Sequence, residues 1–148
     1  MAHVQSGRSI NWRMGWQDEK GPFPSRMVET IASALQKQIL DLNIEDVRLL
    51  ISQDCALEYA VPVALEFLVS RPMVDSGNYV GDLLLACLNI KSGFWNENSP
   101  MFKQLKGCLS NLRTIDKEIN ARIKMFLDRE IEPTVLDGRK KKTKGAKP

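Results

Sequence analysis

Histidine is almost missing from this sequence: His3 is the one imidazole in 148 residues. Ser-His-Asp and Cys-His nucleophilic centres and histidine metal sites are therefore excluded unless another chain supplies the ring. Cysteine is scarce too, and Cys55, Cys87 and Cys108 are too widely spaced for a metal knuckle and odd in number for a closed disulfide framework. Each sits in an apolar helical neighbourhood without an adjacent histidine, so the three read as small buried hydrophobes in a reducing compartment rather than as redox sensors. The longest uncharged apolar run, residues 59–65, falls far short of the roughly 20 residues a membrane helix needs. The N-terminal region carries Arg8 and Arg13 but no apolar stretch of the signal-peptide kind, and a cytoplasmic location is the expectation. The nine glycines form neither a phosphate-cradling loop nor a dinucleotide fingerprint, and no cofactor is expected.

What is present is a globular mixture, 43% hydrophobic and 26% charged, sized for one core-bearing domain. The formal charge of +3 hides an asymmetry, because six of the 21 basic residues lie within 139–148. Without them 15 basic residues face 18 acidic ones, a net −3 over residues 1–137. The body is thus mildly acidic and carries a basic tail, and the two parts call for different partners.

Residues 1–24 read as an irregular arm whose Trp12, Trp16 and Phe23 pack onto the body. Residues 25–132 read as the helical domain. Ser25 is placed to cap a first helix reaching about residue 40, with Val28, Ile31, Leu35 and Ile39 on one face. Asn43 caps a second, with Glu45 and Asp46 at its positive end and Val47, Leu50 and Ile51 inward. Residues 57–69 are apolar on nearly every side, as in a central helix surrounded by others, with Pro62 expected in its first turn and Arg71-Pro72 stopping it. After the turn cluster Asp75-Ser76-Gly77-Asn78, Asp82 is the expected cap of a buried helix over residues 83–88. Ser99-Pro100 opens a long last helix in which Phe102, Leu105, Leu109, Leu112, Ile119, Ile123 and Phe126 keep heptad-like spacing, with Asp116 at the missing seam position marking a bend. That face is open to packing within the chain or against a second copy. The tail, residues 133–148, lacks the apolar residues that would offset ordering entropy and is expected to be disordered. The fold expected is all-α: a single compact multi-helix domain of about five helices with a long C-terminal helix.

No constellation supports catalysis. Asp54 and Glu58 share a helical spacing, yet an acidic solvated face explains them without a pKa-shifting pocket. The tail Gly138-Arg139-Lys140-Lys141-Lys142-Thr143-Lys144 can neutralise phosphates, but it has no interleaved aromatics to read sequence.

Two segments are distinctive together. Glu45-Asp46-Val47-Arg48-Leu49-Leu50-Ile51-Ser52-Gln53 runs into Leu57-Glu58-Tyr59-Ala60-Val61-Pro62-Val63-Ala64-Leu65-Glu66, and Tyr79-Val80-Gly81-Asp82-Leu83-Leu84 precedes Phe94-Trp95. In order and spacing they resemble the immunity proteins of bacterial contact-dependent growth inhibition (CDI) systems, over residues 28–112. The resemblance implies a small cytosolic helical protein, not an enzyme, that binds and neutralises the C-terminal toxin domain of a contact-delivered surface protein. It further implies a toxin that is a nuclease, with ribonucleases frequent. The quoted residues read as fold residues, so no toxin contact transfers by motif. Because a nuclease cleft is basic, an acidic surface suits it, and the candidate contacts are Asp41, Glu45, Asp46, Asp54 and Glu58, with Trp12 or Trp16 as anchor. For any one of them, the plainer description as a solvated charge or a packed ring is favoured. The rival function is a small helical nucleic-acid-associated regulator that uses the basic tail.

Overall fold

The computed structural model describes residues 8–129. Among these the structure is all-helical: α1 (Ile10–Met14), α2 (Arg26–Leu35), a 3-10 turn (Ile39–Asp41), α3 (Ile44–Ser52), α4 (Leu57–Ser70), α5 (Asp82–Leu88), α6 (Ser92–Glu97), α7 (Ser99–Leu109) and α8 (Lys117–Asp128). The basic tail and His3 lie outside the described residues.

The helix starts follow from local chemistry. Ser25 Oγ accepts from the Val28 amide at 3.2 Å, and Asn43 Oδ1 accepts from the Asp46 amide at 2.8 Å. Asp46 Oδ2 in turn accepts from the Asn43 amide at 3.1 Å, closing a capping box at the start of α3. Asn43→Ala is expected to cost about 1 kcal/mol, read as a lower urea midpoint at unchanged slope.

α4 is the centre of the packing, touching α3, α5 and α7, while α2 and α1 extend from α3 and α8 closes on α5 and α7. Val47 and Leu50 of α3, Leu65 and Leu68 of α4, Leu83 and Leu84 of α5 and Leu105 of α7 form the middle of the core. Asp54 and Ala56 adopt left-handed backbone at φ 58° and 52°, which turns the chain sharply from α3 into α4.

Several expectations are corrected. The first helix ends at Leu35, and residues 39–41 form a separate 3-10 turn. Pro62 sits in the second turn of α4 rather than the first, so the Glu58 carbonyl lacks its α-helical donor. α4 is also not enclosed: Pro62, Val63 and Phe67 are half-buried on a side that no helix covers. The N-terminal arm contains a helix, capped by Ser9, and it is Ile10, fully buried, that anchors it. Trp12 and Trp16 stay 59% and 42% exposed, because the buried face of so short a helix is filled by Ile10 and Asn11.

The long last helix is two helices. Asp116 is the N-cap of α8, its carboxylate accepting from the Ile119 amide at 3.0 Å. A carboxylate on the seam of one continuous helix would be buried without a partner, whereas a cap gives it an amide donor. The heptad-like spacing survives because both helices bury one face. Phe102 and Phe126 would lie about 36 Å apart along one helix. Their ring centroids are 4.9 Å apart, so the chain folds back and the face packs within the chain. Trp95, fully buried, packs against both at 5.9 and 5.6 Å, with Phe94 at 5.2 Å.

Candidate functional site

Asp82 is the most concentrated polar feature of the interior. It is not the cap of α5; Gly81, at φ 89°, precedes the helix, and Asp82 is its first residue. Its carboxylate turns back to organise residues 75–80, accepting from the Ser76 amide at 2.8 Å, the Ser76 hydroxyl at 2.7 Å, the Asn78 amide at 3.0 Å and the Tyr79 amide at 3.4 Å. Arg48 of α3 lies alongside, its Nε 3.4 Å from Asp82 Oδ2, close enough for an ion pair but without hydrogen-bond alignment. Burial alone pushes the Asp82 carboxyl up, but the hydrogen bonds from Ser76, Asn78 and Tyr79 outweigh it and hold it below the ordinary 3.8. So stabilised an anion is a poor general base, and the arrangement ties a loop rather than moves protons. Glycine is required next to it: a Cβ on Gly81 would stand 2.6 Å from Ile119 Cδ1 and 2.7 Å from Met73 Cε, at a φ that L side chains rarely adopt.

The thiols offer no nucleophile. Burial pushes Cys87 up to about 12 and raises Cys108, and burial followed by the Asp54 charge raises Cys55. Cys55 and Cys108 are only half-buried, which corrects the expectation of three buried cysteines. Among the described residues no three His, Cys, Asp or Glu side chains cluster as a metal site.

What the surface does present is a groove of about 800 Å³ along the uncovered side of α4, walled opposite by the 3-10 turn and the start of α3. Its floor is apolar, from Leu42, Pro62, Val63 and Phe67, and its rim carries Glu58, Glu66 and Asp75 against one lining cation, Arg71. Leu40 stands at the lip, 79% exposed. Neither Glu58 nor Glu66 makes an ion pair with a described residue. The wider charge pattern runs the same way. Residues 38–97 hold nine acidic and three basic side chains, and all the acidic ones except Asp46 and Asp82 are exposed. Residues 100–129 hold seven basic and three acidic.

The residues singled out in the sequence do not form one cluster. Glu58 is on the groove rim, and Asp41 ends the turn that forms the opposite wall. Glu45 is exposed and 3.8 Å from Arg48 Nη2, and Asp54 is exposed on the turn before α4. Asp46 is a correction: it is 3% exposed, closes the capping box and binds Lys37 Nζ at 2.7 Å, so it is part of the scaffold. Trp12 carries the Arg8 guanidinium 4.3 Å above its ring, and Trp16 borders a second hollow with Asn11, Asp18 and Glu19. Sequence reasoning missed Glu66, Asp75 and Leu40. A signal existed for Glu66, because positions 58, 62 and 66 repeat every four residues and so share a helix face.

The described residues thus form an all-helical body with an open, acid-rimmed apolar groove. The chain belongs to the family of CDI immunity proteins: the family model CdiI_3, described as CDI immunity proteins, matches residues 14–105. The matched region runs from the end of α1 into α7 and includes every residue lining the groove. A search of curated proteins returned none that matches the chain. Membership makes this an immunity protein that neutralises a cognate toxin, as the resemblance implied. Among the described residues no helix is long and apolar enough to cross a membrane.

Proposed function

We propose that this chain acts in the cytoplasm, without catalysis of its own, by binding the C-terminal toxin domain of a CDI effector and covering its active-site cleft. The toxin is a nuclease, most directly a ribonuclease. One observation carries the proposal: the stretch 38–97, which includes the groove and its acidic rim, holds seven exposed carboxylates against three basic side chains. A nuclease cleft must attract phosphates, so a surface of matching negative potential is drawn to it and competes with substrate. Asp41, Glu45, Asp54 and Glu58 supply that charge, and the exposed rings of Trp12 and Trp16 are of the type that anchors interfaces.

Charge reversal tests it. The double substitution Asp54→Lys, Glu58→Lys is expected to slow association with the toxin domain about tenfold or more at low ionic strength, with the difference shrinking as salt is added. Both sites are exposed, but Asp54 holds left-handed backbone at φ 58° and Glu58 lies in the first turn of α4, so a modest loss of stability is expected and thermal unfolding is measured beside association. Unchanged association for every acidic substitution would refute the electrostatic plug and leave neutralisation from a site away from the cleft. Deleting residues 139–148 is expected to leave neutralisation intact. Loss of protection on that deletion, with loss of nucleic-acid binding, would favour the tail-based rival.

A further inference from the structure

We propose that the groove between residues 39–44 and α4 is the seat for a cationic amphipathic segment of the toxin, one that places a bulky apolar side chain on the floor between flanking Lys or Arg residues. The inference rests on the immunity reading and adds to it the surface and the chemistry of the partner segment.

Four features specify that occupant. The floor of Leu42, Pro62, Val63 and Phe67 is apolar, and the volume of about 800 Å³ lies in the range of sites that enclose a ligand. Leu40 is held on a 3-10 turn with 79% of its surface exposed, an apolar contact at the groove mouth with no partner in the fold. The rim is anionic, with Glu58, Glu66 and Asp75 facing only Arg71, and an incoming cation between Glu58 and Glu66 meets no competing ion pair. Pro62 has no amide hydrogen to give the Glu58 carbonyl, so the central helix has an acceptor to spare where both residues line the groove.

Other occupants supply only part of this chemistry. Residues 139–148 of the chain are cationic but have Ala146 as their only apolar residue, and residues 130–137 offer Ile131, Val135 and Leu136 among three acidic residues. A second copy can present Met125, 58% exposed, beside Arg122 and Lys124 of α8. That contact joins unlike surfaces, and repeated from copy to copy it propagates a chain unless its rotation happens to close a ring.

The test uses the full chain and the cognate toxin domain in a catalytically inactive form, with affinities from calorimetry and the fold of each variant checked by thermal unfolding. Glu66→Lys is expected to weaken binding about tenfold or more, with most of that loss removed by high salt. Leu40→Ala should weaken it about threefold or more with little salt dependence, as loss of apolar contact does. Asp128→Lys, exposed and outside both the groove and the acidic stretch 38–97, is the control and should stay within about twofold. If Glu66→Lys and Leu40→Ala both bind like the parent while the parent binds tightly, the groove assignment is wrong and the immunity reading stands. A parent that fails to bind the toxin overturns both. A self-association of the parent that Glu66→Lys abolishes would assign the groove to a second copy and overturn the toxin seat, and resonances of groove residues that shift on deleting residues 139–148 would do the same in favour of the tail.

Discussion

Asp82→Asn is expected to destabilise the protein by about 3 kcal/mol or more, the cost of leaving a buried charge without its counterpart. The Arg48 side chain is 10% exposed and Asp82's is 2%, so with the carboxylate gone the nearest anion is the half-exposed Glu45, 3.8 Å away. The isosteric amide does not rescue the loop either. Four donors converge on the two oxygens of Asp82, and an amide must turn its own NH2 toward one pair of them. Thermal unfolding should show a midpoint lower by on the order of 10 °C. The pH dependence follows from the direction of the shift. A carboxyl held below its ordinary 3.8 stabilises the fold above that value, and the contribution disappears as pH falls through the lower folded-state pKa. Stability measured from pH 6 down to pH 2 should therefore fall less steeply for Asp82→Asn than for the parent. Equal slopes would show that the carboxylate is not the acid-sensitive tie. There is a functional corollary, since the loop that Asp82 ties includes Asp75 of the groove rim, and a loosened loop should weaken toxin binding as well as stability.

Trp95→Ala is expected to cost about 3–5 kcal/mol, the range for removing a large ring from a packed core. Trp95 is fully buried and stacks edge-on or tilted against Phe94, Phe102 and Phe126, which come from three different helices. Its ring is thus the contact through which α6 holds the hairpin of α7 and α8, and the aromatic near-UV circular dichroism should collapse with it. Trp95→Phe should cost less than the alanine change, because Trp95 Nε1 has no hydrogen-bond partner and phenylalanine forfeits only packing. In cells, a loss of this size lowers abundance, so protection by the alanine variant should fail through the amount of folded protein rather than through the toxin contact. A Trp95→Ala protein as stable as the parent would contradict the packing described.

Features decided by neighbours in sequence were legible from it. Ser25 and Asn43 cap helices because their side chains reach amides three residues on. The all-helical class followed from the same local patterns, and the family from the resemblance carried by residues 45–66 and 79–95. Features decided by tertiary placement were not. Asp82 carries a cap's residue type and a cap's position, yet a buried Arg48 and the donors of residues 76–79 give it a different role. Asp46 reads as one more surface acid until Lys37 is seen to cover it. Heptad-like spacing describes which face is buried and is silent on whether the helix turns back at Asp116. The groove belongs to this second kind, because its walls are separated by some twenty residues and only the packing of α4 leaves one side of it uncovered.

The central claim is most directly tested by co-expressing the chain with the toxic C-terminal region encoded next to its gene, scoring cell survival and co-purification together, with and without residues 139–148. The account predicts survival and a stable one-to-one complex for both forms. A soluble, folded chain that neither protects nor co-purifies with that toxin would contradict it.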